Sequence, residues 1–269
     1  MFKGYRVTRN SNQVDARLIG VRIANLIGKP FGINPFPRAF ANPMTMDLKR
    51  RDEIFDRIYE RNFWESAESR SGVGSEGSFT AKYRARLKSL LDACSLERFF
   101  DAPCGDLNWI ASLARLPGVD YSGGDISRSL VSVLNRQFPD IDIRAFDICT
   151  DQFPVADVWH CRDCLFHLPF EDIRHSLSNF SGSSIPFALI TTHRATLHRN
   201  LDVEAGGFRY LDLERAPIGL PPAEAYLKDY RMGRDFPRYV GLWRREAIAA
   251  ALERWHANGA DTDELPIDG

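Results

Sequence analysis

The sequence contains no apolar stretch that approaches the roughly 18 residues needed for a membrane-spanning helix. Its start lacks the unbroken apolar run and small-residue cleavage site of a secretory signal peptide. The five cysteines are an odd number, so a disulfide framework is not expected and a reducing, cytoplasmic location is predicted. The formal net charge is only −1, which gives no basic field to attract nucleic acid.

One cysteine pair has a spacing that is typical of redox or zinc sites. Cys161 and Cys164 form a C-x-x-C at the end of a strand pattern. No second pair completes a four-ligand zinc site, and the context does not resemble a redox motif. No metal site is therefore predicted.

The first part of the chain, residues 1–78, is predicted to be a helical extension and lid. Residues 1–27 carry five basic side chains, and the second half of this segment has the apolar spacing of a short amphipathic helix. Packing on the domain, or on a second copy in a homodimer, is favoured over membrane contact, which a basic face only permits. Residues 28–45 hold four prolines and predict an irregular linker. Helices are expected over 47–64 and 79–94, with a polar, glycine-rich loop over 65–78.

From residue 98 onward, strand patterns alternate with helix patterns. The strands are predicted at 98–102, 120–125, 141–147, 156–161 and 187–192, and a later strand at 239–243. This alternation predicts an α/β fold, a doubly wound Rossmann-like sheet of about seven mostly parallel strands. The domain is placed at 79–258, with a substrate-covering insertion at about 198–238 and an acidic tail at 259–269. A hairpin is expected over 201–213, with its turn at Gly206 and Gly207.

Acidic residues follow three successive strands, where ligands bind in such folds. Asp101 and Gly105 flank the first turn, and Asp125 follows Asp101 by 24 positions, close to the spacing of about 20 in nucleotide-binding units. A carboxylate at Asp125 could accept hydrogen bonds from a ribose diol, and Asp147 could accept from an adenine amino group. Each acid alone could equally be a turn or helix N-cap residue. Together they indicate an adenosine-containing ligand, without choosing among S-adenosylmethionine (SAM), NAD and FAD.

Four motifs between Phe99 and Leu168 resemble those of the class I SAM-dependent methyltransferases. They are FFDAPCGD, YSGGDIS, RAFDI and ADVWHCRDCLFHL. With the segment FWESAESRSGVGS, they look like a bacterial group that modifies glycans and secondary metabolites. Pro103 and Leu107 stand where the family usually has glycines. That departure counts against a dinucleotide, whose pyrophosphate needs close backbone approach, and it favours SAM as the cofactor.

The resemblance implies a role for each residue at the strand ends. Asp101 would anchor the methionine amino group, Gly105 would give clearance, Asp125 would bind the ribose, and Asp147 with Ile148 would hold adenine. Two lid residues, Trp64 and Arg70, are added as a stacking group and a partner for the SAM carboxylate. The full predicted cofactor set is Asp101, Pro103, Gly105, Asp125, Ile126, Asp147, Ile148, Arg162, Arg70 and Trp64.

The fourth strand end should lie nearest the methyl group that is transferred. If the acceptor is a hydroxyl, a base must remove its proton, and His167 is the first candidate, ahead of Asp163 and His193. A structural histidine at the start of a helix is the alternative for His167. Arg162 could hold an anionic acceptor or form a salt bridge with a nearby acid.

The insertion supplies further candidate substrate contacts. The predicted substrate-binding residues are Arg162, Tyr230, Arg234 and Tyr239. The predicted function is methyl transfer from SAM to a small-molecule or glycan acceptor, with oxygen as the expected atom. Two alternatives stay open, a methyltransferase acting on RNA or protein and a SAM-fold protein that binds without catalysis. Nucleic acid is disfavoured because the sequence has no basic stripe.

Overall fold

The computed structural model describes residues 39–40, 42, 45, 47–194, 199–231 and 236–260. The strands are β1 (Ala39–Phe40), β2 (Arg98–Asp101), β3 (Asp120–Asp125), β4 (Asp142–Ala145), β5 (Val158–Cys161), β6 (Phe187–His193), β7 (Phe208–Arg209), β8 (Ala225–Lys228) and β9 (Arg238–Arg244). The helices are α1 (Arg51–Glu60), α2 (Gly77–Cys94), α3 (Ala111–Ala114), α4 (Arg128–Gln137), α5 (Phe170–Ser181) and α6 (Arg245–Ala260). Within these ranges, no helix is long and apolar enough to cross a membrane.

The main sheet has seven strands in the order β4-β3-β2-β5-β6-β9-β8. The strands from β4 to β6 in this order pair in parallel, whereas β9 and β8 run antiparallel to their neighbours. The predicted doubly wound, mostly parallel fold is therefore confirmed. The strand order reverses between β2 and β5, and in open α/β sheets ligands bind beyond the carboxyl ends of strands at such a switch point.

Helices cover both faces of the sheet. Successive side chains of β2 point to opposite faces and therefore pack against different helices. Phe100 packs in the cluster that contains residues of α5 and α6, including Phe180 and Ile248. Phe99 packs in the opposite cluster, with residues of α2 and α4 such as Leu87 and Leu134. This double cover holds the strand ends, and the turns that follow them, in fixed positions.

The structure corrects several local predictions. No 201–213 hairpin forms, because β7 pairs with β1, whose two residues fall inside the predicted linker. The strand β8 was not predicted. The predicted N-terminal helix, the acidic tail beyond residue 260 and Arg234 lie outside the described residues.

Candidate functional site

A cavity of about 620 Å³ lies at the carboxyl ends of β2, β3 and β5. This size is within the range of about 300–1,000 Å³ that is usual for small-molecule sites. Nine of the residues predicted from the sequence line it. They are Trp64, Asp101, Pro103, Gly105, Asp125, Arg162, Asp163, His167 and Tyr230.

Four predicted cofactor residues lie outside this cavity, of which Ile126, Asp147 and Ile148 follow strand ends. Ile126 and Asp147 line a neighbouring cavity of about 410 Å³, and both oxygens of Asp147 are engaged, one by Arg51 at 2.6 Å and the other by the Cys149 amide at 2.9 Å. Ile148 is only 7% exposed and belongs to the hydrophobic core, so it does not cover a ligand in either cavity.

Three other predicted residues do not line the cavity. The Arg70 guanidinium is exposed and donates to the carbonyls of Tyr59 and Glu60, so it does not reach in to a carboxylate. His193 is 1% exposed and its Nδ1 accepts from the Leu211 amide at 3.2 Å, which makes it a structural histidine rather than a base. Tyr239 packs edge-on against Tyr226 on the outer part of the sheet.

Asp101 is held at the cavity wall by a buried chain of hydrogen bonds. Its Oδ1 accepts from Nδ1 of His160 at 2.6 Å, and its Oδ2 accepts from the Tyr121 hydroxyl at 2.9 Å. Nε2 of His160 lies 2.9 Å from the Tyr83 hydroxyl. Nδ1 of His160 donates to Asp101, because a carboxylate only accepts, and the Tyr83 hydroxyl can donate or accept at Nε2. The carboxylate orientation is therefore fixed before any ligand binds.

Asp125 connects the turn after β2 to the start of α4. Its Oδ2 accepts from the Gly105 amide at 3.1 Å, and its Oδ1 accepts from the Ser127 amide at 3.0 Å. Burial raises the pKa of Asp125 to about 6, even though both hydrogen bonds favour the charged form. Each oxygen still has lone-pair capacity for a ligand hydroxyl.

The turn after β2 has little room for side chains. Gly105 has a φ of +58°, and a Cβ there would lie 2.5 Å from the Ser71 hydroxyl oxygen. Leu107, which stands at a position where the family has glycine, adopts the same left-handed conformation with a φ of +58°. The turn geometry is therefore retained without the glycine. The left-handed conformation costs a non-glycine residue about 1 kcal/mol.

The loop of residues 69–75 closes one side of the cavity. The Asp106 carboxylate accepts from the hydroxyl of Ser69 and the amide of Arg70, while the Asp106 amide donates to the Ser71 hydroxyl at 2.9 Å. Residues 71–75 line the cavity. The loop is thus tied to the turn after β2 and forms part of the cavity wall.

Two ion pairs form a buried cluster beside the cavity. Arg162 donates from Nε and Nη2 to the two oxygens of Asp229, at 2.8 and 3.1 Å. Arg238 donates to Asp163 at 2.9 Å, and the same Asp163 oxygen accepts from the Tyr230 hydroxyl at 3.0 Å. Arg162 was predicted either to hold an anionic acceptor or to form a salt bridge with a nearby acid, and the structure shows the salt bridge.

Asp163 is poorly suited to be a general base. Burial raises the pKa of this carboxyl, but the positive charges of Arg238 and Arg162 outweigh that effect and bring it to about 2. The residue also has a φ of +55°, in a turn held by a hydrogen bond from its amide to the Thr191 hydroxyl. Its charge serves to anchor the two arginines.

His167 has a defined tautomer. Its Nδ1 lies 2.6 Å from the Gly207 carbonyl oxygen, which can only accept, so Nδ1 carries the proton. Burial lowers the pKa of His167 to about 4, which keeps the ring neutral near pH 7. In the described chain Nε2 has no hydrogen-bond partner, and the ring lines the cavity. Nε2 is therefore available to accept a proton.

Sequence reasoning missed three charged or polar residues of the site. His160 was hidden inside a buried strand, where its neighbours suggested only core. Asp229 and Arg238 directly precede the predicted contacts Tyr230 and Tyr239. Asp229 pairs with Arg162, 67 positions away in the sequence, and Arg238 pairs with Asp163, 75 positions away. Nothing in the local pattern indicates such distant partners. The five cysteines are free, and the described residues contain no cluster that could hold a metal ion.

Comparisons with known proteins test the fold. No protein-family model and no curated protein matches the sequence. A solved structure named PigF with SAH (S-adenosylhomocysteine) matches over 86% of this chain and 71% of its own, with a TM-score of 0.54 and 13% identity. The magnesium protoporphyrin IX methyltransferase ChlM from Synechocystis PCC 6803, with bound SAH, matches over 72% and 95%, with a TM-score of 0.50 and 14% identity. The protein has the class I methyltransferase fold. In this methyltransferase fold the cavity described above lies at the sheet's topological switch point.

Proposed function

We propose that the protein is a SAM-dependent methyltransferase. The observation that carries this proposal is that one cavity at the strand ends contains two groups. They are a buried carboxylate that can bind a ribose, Asp125, and a neutral histidine, His167. The two similar structures that were solved with SAH support the same cofactor for this chain. The glycine-poor turn also fits a cofactor without phosphate groups.

The residues present fit SAM at the cavity end formed by β2 and β3. Gly105 lines the cavity beside Asp125, and Asp125 has lone pairs for two ribose hydroxyls. Asp101, fixed by His160, would accept from the methionine amino group, with Pro103 and Trp64 as apolar walls. Ile126, which directly follows Asp125 and lines the neighbouring cavity, would border the adenine end.

The acceptor end lies around His167. Bound SAM supplies an electrophilic methyl group on a positively charged sulfur. Nε2 of His167 would take the proton of an acceptor hydroxyl, and the Gly207 carbonyl would hold the ring in place through Nδ1. We infer O-methylation of a small-molecule or glycan acceptor, enclosed by the loop of residues 71–75 and by Phe208, Tyr210 and Tyr230 of the insertion.

Isothermal titration calorimetry with SAM and SAH tests the proposal. Asp125→Ala should weaken SAH binding at least tenfold, because hydrogen bonds to a charged group contribute about 1.5–3 kcal/mol. Asp120→Ala is a matched control, since it removes an exposed aspartate from the other end of the same strand. Failure of the unmodified protein to bind either compound would overturn the proposal. Unchanged binding by Asp125→Ala would overturn only the role of that residue.

A further inference from the structure

Aromatic side chains surround His167 at the acceptor end. We define the ring pocket as Trp64, Phe166, His167, Phe208 and Tyr210, all of which line the cavity. The centroid of His167 lies 5.3 Å from that of Trp64, 4.4 Å from Phe166 and 6.0 Å from Phe208, and Phe208 lies 5.4 Å from Tyr210. These contacts form a continuous aromatic wall, which is complementary to a flat apolar ligand.

The two arginines that line the cavity beside the ring pocket are each paired with a carboxylate. Arg162 is paired with Asp229, and Arg238 is paired with Asp163. Two positive and two negative groups therefore cancel, and a charged acceptor would have to break a buried pair, which is strongly unfavourable. A sugar would need several free hydrogen-bonding groups, whereas the polar side chains here already bond to one another.

The free nitrogen of His167 also selects among hydroxyl groups. A base with a pKa of about 4 is weak, and proton transfer to it is more favourable from a more acidic hydroxyl. An aromatic hydroxyl has a pKa of about 10, as in tyrosine, and an alkyl hydroxyl is a far weaker acid. An aromatic hydroxyl is thus the better match for Nε2.

We propose that the acceptor is an uncharged, planar aromatic compound whose ring hydroxyl is methylated beside Nε2 of His167 in the ring pocket. This inference rests on the proposed function. In the step, the acceptor oxygen bonds to the methyl carbon, the carbon–sulfur bond breaks with its electron pair remaining on sulfur, and the hydroxyl proton moves to Nε2. The products are an aryl methyl ether and SAH, and the histidine then returns its proton to water.

A matched set of naphthalene compounds tests the charge and chemistry of the acceptor. Naphthol, naphthylamine and naphthoic acid share one ring system and differ in the reacting group, and methyl glucoside represents a sugar. Each compound is incubated with SAM and the purified protein, and methylated product and SAH are measured by mass spectrometry. Methylation of naphthol well above the other three is the expected result. Preferred methylation of the amine, the acid or the glucoside would overturn the proposal.

SAH calorimetry separates this inference from the proposed function. If SAH binds but naphthol is not methylated, the acceptor proposal fails while the cofactor proposal stands; if SAH does not bind, both fail. Phe208→Leu should raise the KM for naphthol roughly three- to tenfold through lost ring contact and leave SAH affinity unchanged. Phe138→Leu, a partly buried phenylalanine outside the cavity, is the matched control. An unchanged KM in Phe208→Leu would also contradict the proposal.

Discussion

Lowering the pH from 7 to 5 is expected to weaken SAH binding about tenfold through the protonation of Asp125 alone. In the free protein the pKa of this carboxyl is raised to about 6, chiefly by burial. A ribose diol donates hydrogen bonds and therefore binds the ionised form. Protonation competes with binding below pH 6, and a group that titrates at 6 changes the fraction of ionised protein about tenfold between pH 7 and 5.

Two other titratable groups in the cavity do not contribute over this range. The pKa of His167 is lowered to about 4 by burial. Burial raises the pKa of Asp163, but its arginine neighbours bring it to about 2. Both groups therefore keep their protonation state between pH 7 and 5, and comparison with a variant that lacks the Asp125 carboxyl assigns the change in affinity to Asp125.

Calorimetric titration with SAH at pH 5, 6 and 7 provides the assay. Runs in two buffers with different ionisation enthalpies should show proton release on binding, greatest near pH 5. Asp125→Asn cannot titrate, so its weaker binding should be independent of pH. A dissociation constant for the unmodified protein that stays constant from pH 7 to 5 would refute the assignment of Asp125 as the ribose ligand.

Three further substitutions test other parts of the site. His167→Gln should lower kcat about 100-fold or more with unchanged SAH affinity, and activity above one tenth of normal would contradict its role as the base. Arg162→Met leaves Asp229 buried and unpaired, so the free energy of unfolding in urea should fall by about 3–5 kcal/mol; a second change, Asp229→Leu, should recover most of that loss, and no recovery would contradict the pairing. Gly74→Ala places a Cβ 2.2 Å from a tyrosine hydroxyl, which should cost about 1–3 kcal/mol of stability, whereas Gly182→Ala, with its nearest contact at 3.5 Å, should have little effect.

The sequence allowed good prediction of features that depend on local pattern. Alternation of strands and helices predicted the sheet, and acidic residues after strands predicted that Asp101 and Asp125 would meet at one edge. These predictions succeed because side-chain direction and strand-end position follow from backbone periodicity.

Features that depend on distant partners were not predictable in the same way. The β7 strand pairs with β1, about 170 positions earlier in the chain, so Gly206 and Gly207 were wrongly given a local hairpin partner. His193 was predicted to follow a strand, but it is the last residue of β6 and is enclosed by the segment that contains Leu211. The Asp147 carboxylate meets Arg51 across 96 positions. Each outcome was decided by tertiary packing, which a local pattern does not encode.

The loop of residues 69–75 touches both ends of the cavity, and this has a thermodynamic consequence. At one end Ser71 abuts Gly105, and at the other Gly74 abuts Tyr230 and Asp163. If the ligands at the two ends favour the same position of this loop, each raises the affinity for the other by the same factor. Cofactor and acceptor are therefore expected to bind cooperatively, with the short segment between Ser71 and Gly74 as the element that couples them.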